Sequence, residues 1–385
     1  MISFRGARGY SLVELIVVML VFAVVMSLIS ISFNNIVRSA GQLGKRVETD
    51  IGGLIGLELM RGDLELAGFG LPYTLPSGMN YTEAPDDLQL VPGYPEAKAY
   101  NYNDSPSAAP TAYRIGSNVG FNGSDYLVLK GTPLGASTVC RSWCYLNYSA
   151  TTRASRVDPE LKIGEKDRAI VLRTGADRDG KPVRKLVASG NNFTFFLDRE
   201  LDKNFAPADR TGSYLVYGVA RKDDADAWLN FPFNRSDYHI TRKTDISTTC
   251  NAGTGTLYKT VIAQSGKTPV KYPILDCAAD MQVVLYMDTD QDGDIDYHPD
   301  PADHVFTAKE LREELKEIRV YILAQEGKKD PTYQYPDPAI RVGDKELEDR
   351  LGHVWTSTMM SATFGADWRN YRWKLYTIVV QPKNL

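Results

Sequence analysis

The chain is poor in the patterns that carry catalysis. Its 385 residues hold only four histidines, His239, His298, His304 and His353, and these are scattered. No nucleophile elbow, P-loop or H-E-x-x-H occurs, so no enzyme is expected. A net charge of −4 lacks the basic surplus that nucleic-acid binding as a main role would need. No internal repeat is visible. No proline precedes Pro72, so nothing of that kind interrupts a helix before it. No acid occurs before Glu14, and the 23 residues from Leu15 to Val37 contain no Asp, Glu, Lys or Arg.

What stands there instead is a short basic leader, residues 1–9, carrying Arg5 and Arg8. The positive-inside rule keeps such a leader cytoplasmic. The uncharged run behind it would span about 35 Å as a helix, enough for a hydrocarbon core of about 30 Å. The run is therefore expected to cross a membrane once, with the rest of the chain on the far side. Glu14 is the odd residue, because a carboxylate at the head of a membrane helix costs a few kcal/mol, roughly, unless it is paired. An ordinary secretory signal has a shorter apolar region and a small-residue cleavage site after it. Ser30-Ile31-Ser32 matches such a site weakly, and the helical pattern runs on past it.

Gly9-Tyr10-Ser11-Leu12-Val13-Glu14 resembles the class III signal of type IV prepilins: Gly, an apolar or aromatic first mature residue, then Glu in the fifth place of the mature chain. The resemblance implies that a prepilin peptidase cuts after Gly9 and that the new amino terminus at Tyr10 is methylated. It also implies partners, namely other pilin and minor pilin subunits. Glu14 would then meet the amine of a neighbouring subunit as a desolvated pair that sets register more than it adds stability.

The helix is expected to continue through a soluble half, residues 38–70. Leu54, Leu57, Leu59, Met60, Leu64 and Leu66 recur at roughly helical spacing, and Gly68-Phe69-Gly70-Leu71-Pro72 is a stop signal. Gly41, Gly44, Gly52, Gly53 and Gly56 each weaken the middle by about 1 kcal/mol relative to Ala. Residues 71–385 read as a β-rich periplasmic head, starting with a Pro-, Gly- and Tyr-rich surface loop over 72–122. Strands are expected at 126–130, 169–173, 192–197, 213–217, 257–262, 281–286, 318–323 and 374–380, with one short helix at 307–315. Residues 131–168 read as a separate lobe. The fold class is α+β: a long N-terminal helix packed on a β-rich head with antiparallel sheet.

Four cysteines, Cys140, Cys144, Cys250 and Cys277, all follow the helix and suit an oxidising compartment. Three pairings are open, and pairing within each couple is the expected one. The spacings are not the C-x₂-C pairs of a zinc site.

The head segment Asp288-Thr-Asp-Gln-Asp-Gly-Asp-Ile-Asp296 points to Ca²⁺. Asp288, Asp290, Asp292, Asp294 and Asp296 fall at alternate places with Gly293 in sixth place, like the start of an EF-hand loop. Twelfth place holds Pro299 rather than Glu, so Asp300, Asp303 or Glu310 would have to complete the set. His298 and His304 flank the loop and read as surface residues.

Leu57-Glu-Leu-Met-Arg-Gly-Asp-Leu-Glu-Leu-Ala-Gly-Phe-Gly70, Gly123–Gly131, Leu315–Gln325 and Arg372–Leu385 resemble segments of PilW-type minor pilins. That resemblance implies a subunit of type IV pilus assembly, and the bulk of the head favours a place in a priming or tip complex over one in the shaft. A minor, J-like pseudopilin of type II secretion and a pilus-borne adhesin are the alternatives.

Overall fold

The computed structural model describes residues 12–13, 15–17, 19–23, 25–27, 53–148, 155–157, 167–196, 212–223, 228–242, 246–264, 268–344 and 351–385. The chain forms two units, Met1–Ile51 and Gly52–Leu385. In the first, the described residues between 12 and 27 are helical. Their large apolar side chains, among them Leu12, Ile16, Leu20, Phe22 and Met26, are exposed. The long helix expected over 10–70 is thus described only as two short stretches, 12–27 and 53–66. Among the described residues no helix is long and apolar enough to cross a membrane.

The second unit opens with helix α1, residues 53–66. Fifteen strands follow among the described residues: β1 (Tyr113–Gly116), β2 (Tyr126–Gly131), β3 (Trp143–Tyr148), β4 (Ser155–Val157), β5 (Arg168–Ala176), β6 (Pro182–Leu186), β7 (Phe195–Phe196), β8 (Ser213–Ala220), β9 (Asn234–Thr241), β10 (Gly255–Val261), β11 (Val270–Met287), β12 (Leu315–Glu326), β13 (Ala339–Val342), β14 (His353–Thr356) and β15 (Arg372–Val380). Two short helices, α2 (Ala308–Glu314) and α3 (Ser357–Phe364), interrupt them. Seven strands make one antiparallel sheet in the order β1-β2-β9-β10-β11-β12-β15. A second sheet runs β4-β3-β8-β5-β6 with β7 beside β5, and β13-β14 form a hairpin. The described residues of 131–168 do not form a separate lobe: β3 and β4 extend the second sheet.

Helix α1 lies on one face of the large sheet. Leu57, Met60, Leu64 and Ala67, spaced three and four apart, are buried in one core with Leu127, Leu129, Tyr238, Ile240, Leu275 and Val320. Leu54 and Leu59 point outward instead. Two of the glycines the sequence marks as weak points, Gly53 and Gly56, stand against β11. A Cβ on Gly56 would stand 2.1 Å from the Ile274 carbonyl oxygen, and one on Gly53 would stand 2.7 Å from Leu275 Cδ1. At Gly56 helix and β11 thus meet backbone to backbone, which only glycine allows, whereas at Gly53 the neighbour is the tip of a side chain. Asp63 is buried and accepts the Tyr238 hydroxyl at 2.7 Å and the Lys259 ammonium. The helix ends as expected at Gly68, whose φ is +86° and whose amide donates to the Lys130 carbonyl at 2.9 Å.

The other face of the sheet has two covers. At the β11-β12-β15 side, Trp355, Met360, Phe364, Trp368 and Trp373 pack with Val284, Tyr286, Tyr321 and Leu323. At the β2-β9 side the cover is ionic. Lys130 is fully buried with Glu83 at 2.7 Å and Asp104 at 2.6 Å. Arg235, also fully buried, meets Asp237 at 2.7 Å, Glu83 at 3.1 Å and the Ala99 carbonyl at 2.7 Å. Arg114 completes the set on Asp104. These pairs fasten the 72–112 segment, whose Met79, Leu90, Val91, Ala97 and Ala99 are buried. The expected surface loop is a built layer of the core.

Candidate functional site

Two features of the sequence point to function, the N-terminal segment and the acidic loop. Gly9, Tyr10 and Glu14 lie outside the described residues. What is described beside them, residues 12–27, carries exposed apolar side chains with no polar face. A helix of that kind is stable only when lipid or other helices cover it. Residues 4–30 match the family model described as the prokaryotic N-terminal methylation motif.

The chain thus carries a type IV prepilin-like signal. A signal of this kind implies cleavage by a prepilin peptidase, a membrane anchor and assembly with other pilin-type subunits. No curated protein and no solved structure matches the chain significantly.

The acidic loop joins β11 to the stretch before α2. Asp288 follows the last residue of β11: its amide donates to the Glu314 carbonyl at 2.8 Å and its side chain is fully buried. The turn then closes around that carboxylate. Asp288 accepts the amides of Asp292 and Gly293, both at 3.1 Å, while Gln291 and Gly293 take positive φ of 60° and 104°. This is the sharp turn that the Gly in sixth place provides. The chain returns to β11 where the Met287 amide donates to the Tyr297 carbonyl at 2.9 Å.

The turn brings together carboxylate oxygens of Asp288, Asp290 and Asp292, all within 4.8 Å of one another. Asp296 is engaged differently, accepting the Thr289 amide at 3.0 Å and hydroxyl at 2.8 Å. Asp294 is exposed, and its amide donates to Asp292 at 2.9 Å. The residues offered to complete the set have other roles. Glu310 forms the capping box of α2 with Thr307, and Asp300 accepts the Ala302 amide at 2.9 Å. His298 packs edge-on to Tyr286, and His304 stands 3.5 Å from Glu310. Neither histidine joins the cluster.

Charge is unevenly balanced in the turn. The Lys316 ammonium, from β12, sits 2.9 Å from Asp288. Its hydrogen bond is the main reason the Asp288 carboxyl lies below its ordinary value. Asp296 is held low by the Thr289 amide. Asp290 goes the other way: the Asp292 amide pulls it down, but desolvation and the charges of Asp292, Asp296 and Asp288 outweigh that bond. Lys316 could not be found from spacing, because it reaches the loop only through the β11-β12 pairing.

Cys250 and Cys277 are disulfide-bonded with Cα atoms 5.1 Å apart, as expected. The expected Cys140–Cys144 bridge is not formed. Both side chains are buried, and the Cys140 thiol donates to the Val219 carbonyl at 3.0 Å. Cys140 belongs to the turn before β3 and Cys144 to β3 itself, where it pairs across to Val216.

Proposed function

We propose that this protein is a minor pilin of the PilW type that takes part in type IV pilus assembly, in a priming or tip complex. The observation that carries the reading is the methylation-type signal at residues 4–30. Cleavage after Gly9 would leave the apolar helix attached to a large head. Residues 10–37 span the inner membrane once and later pack against the helices of neighbouring subunits. Glu14 meets the amine of the next subunit. A head with two sheets is too bulky to repeat densely along a thin fibre, which favours a terminal or initiating place. The same signal serves minor pseudopilins of type II secretion, so the test reads pili directly. Pili are counted in a deletion strain complemented with wild type or Glu14→Ala. Loss of pili in the deletion, rescued by wild type and not by Glu14→Ala, is the expected result. Normal piliation in the deletion strain would sink the priming role.

The acidic loop is proposed to hold Ca²⁺. The donors are hard carboxylate oxygens, and three of them converge. One is buried and already draws a positive charge from Lys316. Asp288, Asp290 and Asp292 would supply side-chain ligands to a flexible oxygen site, and Asp294 and Asp296 the rest of the acidic surround. The ion would tie the end of β11 to the loop before α2. The measurement is the melting temperature of the full-length protein with Ca²⁺ or with a chelator. A Ca²⁺-dependent rise, absent in Asp288→Ala/Asp290→Ala, is expected; equal melting in both conditions would end the calcium reading.

A further inference from the structure

Lys130 of β2 carries two carboxylates on one buried ammonium. Its Nζ stands 2.6 Å from Asp104 Oδ2 and 2.7 Å from Glu83 Oε2, and its third hydrogen bond goes to the Tyr102 carbonyl at 3.3 Å. All three charged side chains are fully buried, and the Phe233 ring lies 5.5 Å from Nζ. The two carboxylates are held differently. Asp104 has donors on both oxygens: Arg114 Nε at 3.0 Å on Oδ1, and the Thr111 amide at 2.8 Å and hydroxyl at 2.9 Å on Oδ2. Glu83 uses Oε1 for the Asp104 and Ser105 amides, at 2.6 and 3.1 Å, and turns Oε2 to Lys130 and Arg235. Asp104 therefore has donors placed where negative charge develops when its carbon is attacked, while Glu83 can take a proton from Nζ. An amine and a carboxyl fixed in this way react as though at about 10⁵–10⁸ M. In water, solvation of both ions opposes their condensation; burial removes that solvation, and an amide removes two buried charges at once. Three cations, Lys130, Arg114 and Arg235, face three acids, Asp104, Glu83 and Asp237. Losing one of each leaves the network balanced.

We propose that the side chains of Lys130 and Asp104 join in an intramolecular amide bond, with Glu83 as the proton-transfer group. A proton first crosses the 2.6 Å hydrogen bond from Nζ to Asp104 Oδ2, which leaves the nitrogen lone pair facing the carboxyl. Nζ then attacks Cγ, and the displaced electron pair moves to Oδ1, against Arg114. Glu83 Oε2 takes a second proton from the nitrogen and passes it to the Oδ2 hydroxyl. The Cγ–Oδ2 bond breaks, water leaves and the carbonyl re-forms at Oδ1. The last proton stays on the amide nitrogen. Ammonium and carboxylate have become a neutral amide and one water, and Glu83 ends as it began, so no oxidant or cofactor is needed. Burial pushes the Asp104 carboxyl up, but Lys130 and Arg114 outweigh it and bring it to about 2. The first proton transfer is therefore uphill, and the bond forms slowly, once, after folding. It ties the 72–112 layer to β2 across 26 positions.

The full-length protein in detergent is incubated at neutral pH, reduced, denatured and weighed by mass spectrometry, then digested with trypsin. Wild type is expected to be lighter than the same chain unlinked by one water, uncut after Lys130, and to yield a branched peptide joining Lys130 to Asp104. Lys130→Arg and Glu83→Gln should keep that water, with limited proteolysis of the native proteins showing which variants fold. A folded Glu83→Gln that still carries the link overturns the role of Glu83. The wild type decides the bond without any variant. An unchanged mass with trypsin cutting after Lys130 overturns the proposal. So does a lost water with no branched peptide, or a link from Lys130 to Glu83 in place of Asp104.

Discussion

Two glycines in α1, six residues apart, should respond to alanine in opposite directions. At Gly62 an added Cβ meets nothing within 4 Å. Gly62→Ala should therefore gain the helix-propensity difference, about 1 kcal/mol. At Gly56 the same Cβ would stand 2.1 Å from the Ile274 oxygen and 2.9 Å from its carbon. Both atoms are β11 backbone and have little freedom to retreat. Helix or strand must move by about 1 Å, loosening Leu57, Met60 and Leu64 from the sheet. Overpacking of that kind costs about 1–3 kcal/mol, which outweighs the propensity gain. Gly56→Ala should thus destabilise by up to about 2 kcal/mol, and the two variants should differ by the overpacking cost itself, about 1–3 kcal/mol. Urea denaturation of the purified full-length proteins, followed by tryptophan fluorescence, measures both. Equal stabilisation by the two alanines would show that the helix does not approach β11 as described.

Replacing Cys250 and Cys277 with serine should lower stability by about 3.5 kcal/mol in the chain-entropy model, given a sequence separation of 27; a non-reducing against reducing melt of the wild type checks it. Arg235→Ala should cost about 3–5 kcal/mol by leaving buried carboxylates unpaired, and limited proteolysis should then cut within 72–112 first. His239 is fully buried, and burial, then the charge of Lys271, depress it to about 3. Its unfolded form protonates below about 6.5, so its contribution is present above that pH and is lost as pH falls toward 3, by about 1.4 kcal/mol per pH unit. Asp125, pushed up to about 8 by burial, has the opposite slope. The measurement is therefore the difference between wild type and His239→Phe, which should shrink on acidification from pH 6.5 to 4.

The apolar strands were legible because their patterns are. The expected segments at 126–130, 169–173, 213–217, 257–262, 281–286, 318–323 and 374–380 all fall in or across strands of the two sheets. Of the segment at 192–197, the described residues form strand only at Phe195–Phe196. Central strand β9, Asn-Arg-Ser-Asp-Tyr-His-Ile-Thr, went unread, although all eight of its residues are buried. A central strand is normally an apolar run, but one face of β9 is covered by ion pairs that come from residues more than a hundred positions away. The same long-range partners hid the packed state of 72–112, whose composition is that of a loop. In the acidic loop the turn was visible in Gly293 and the alternating aspartates. Sequence could not show that Asp296 would fold back on Thr289, because alternation fixes spacing and not direction.

The end of α1 is held by residues from the far end of the chain. Arg61 donates to the Val379 carbonyl at 3.1 Å and Asn384 to the Glu65 carbonyl at 2.6 Å, across separations of 318 and 319 positions. Contacts so distant form late, since loop closure must come before they reward it. A head that crosses a membrane behind an amino-terminal anchor would carry Leu57, Met60 and Leu64 uncovered until β15 emerges. In that interval the helix is an open hydrophobic ridge beside a membrane, exposed to premature association. Timing of export, and not only the finished contacts, should therefore decide how much of this chain reaches its folded form.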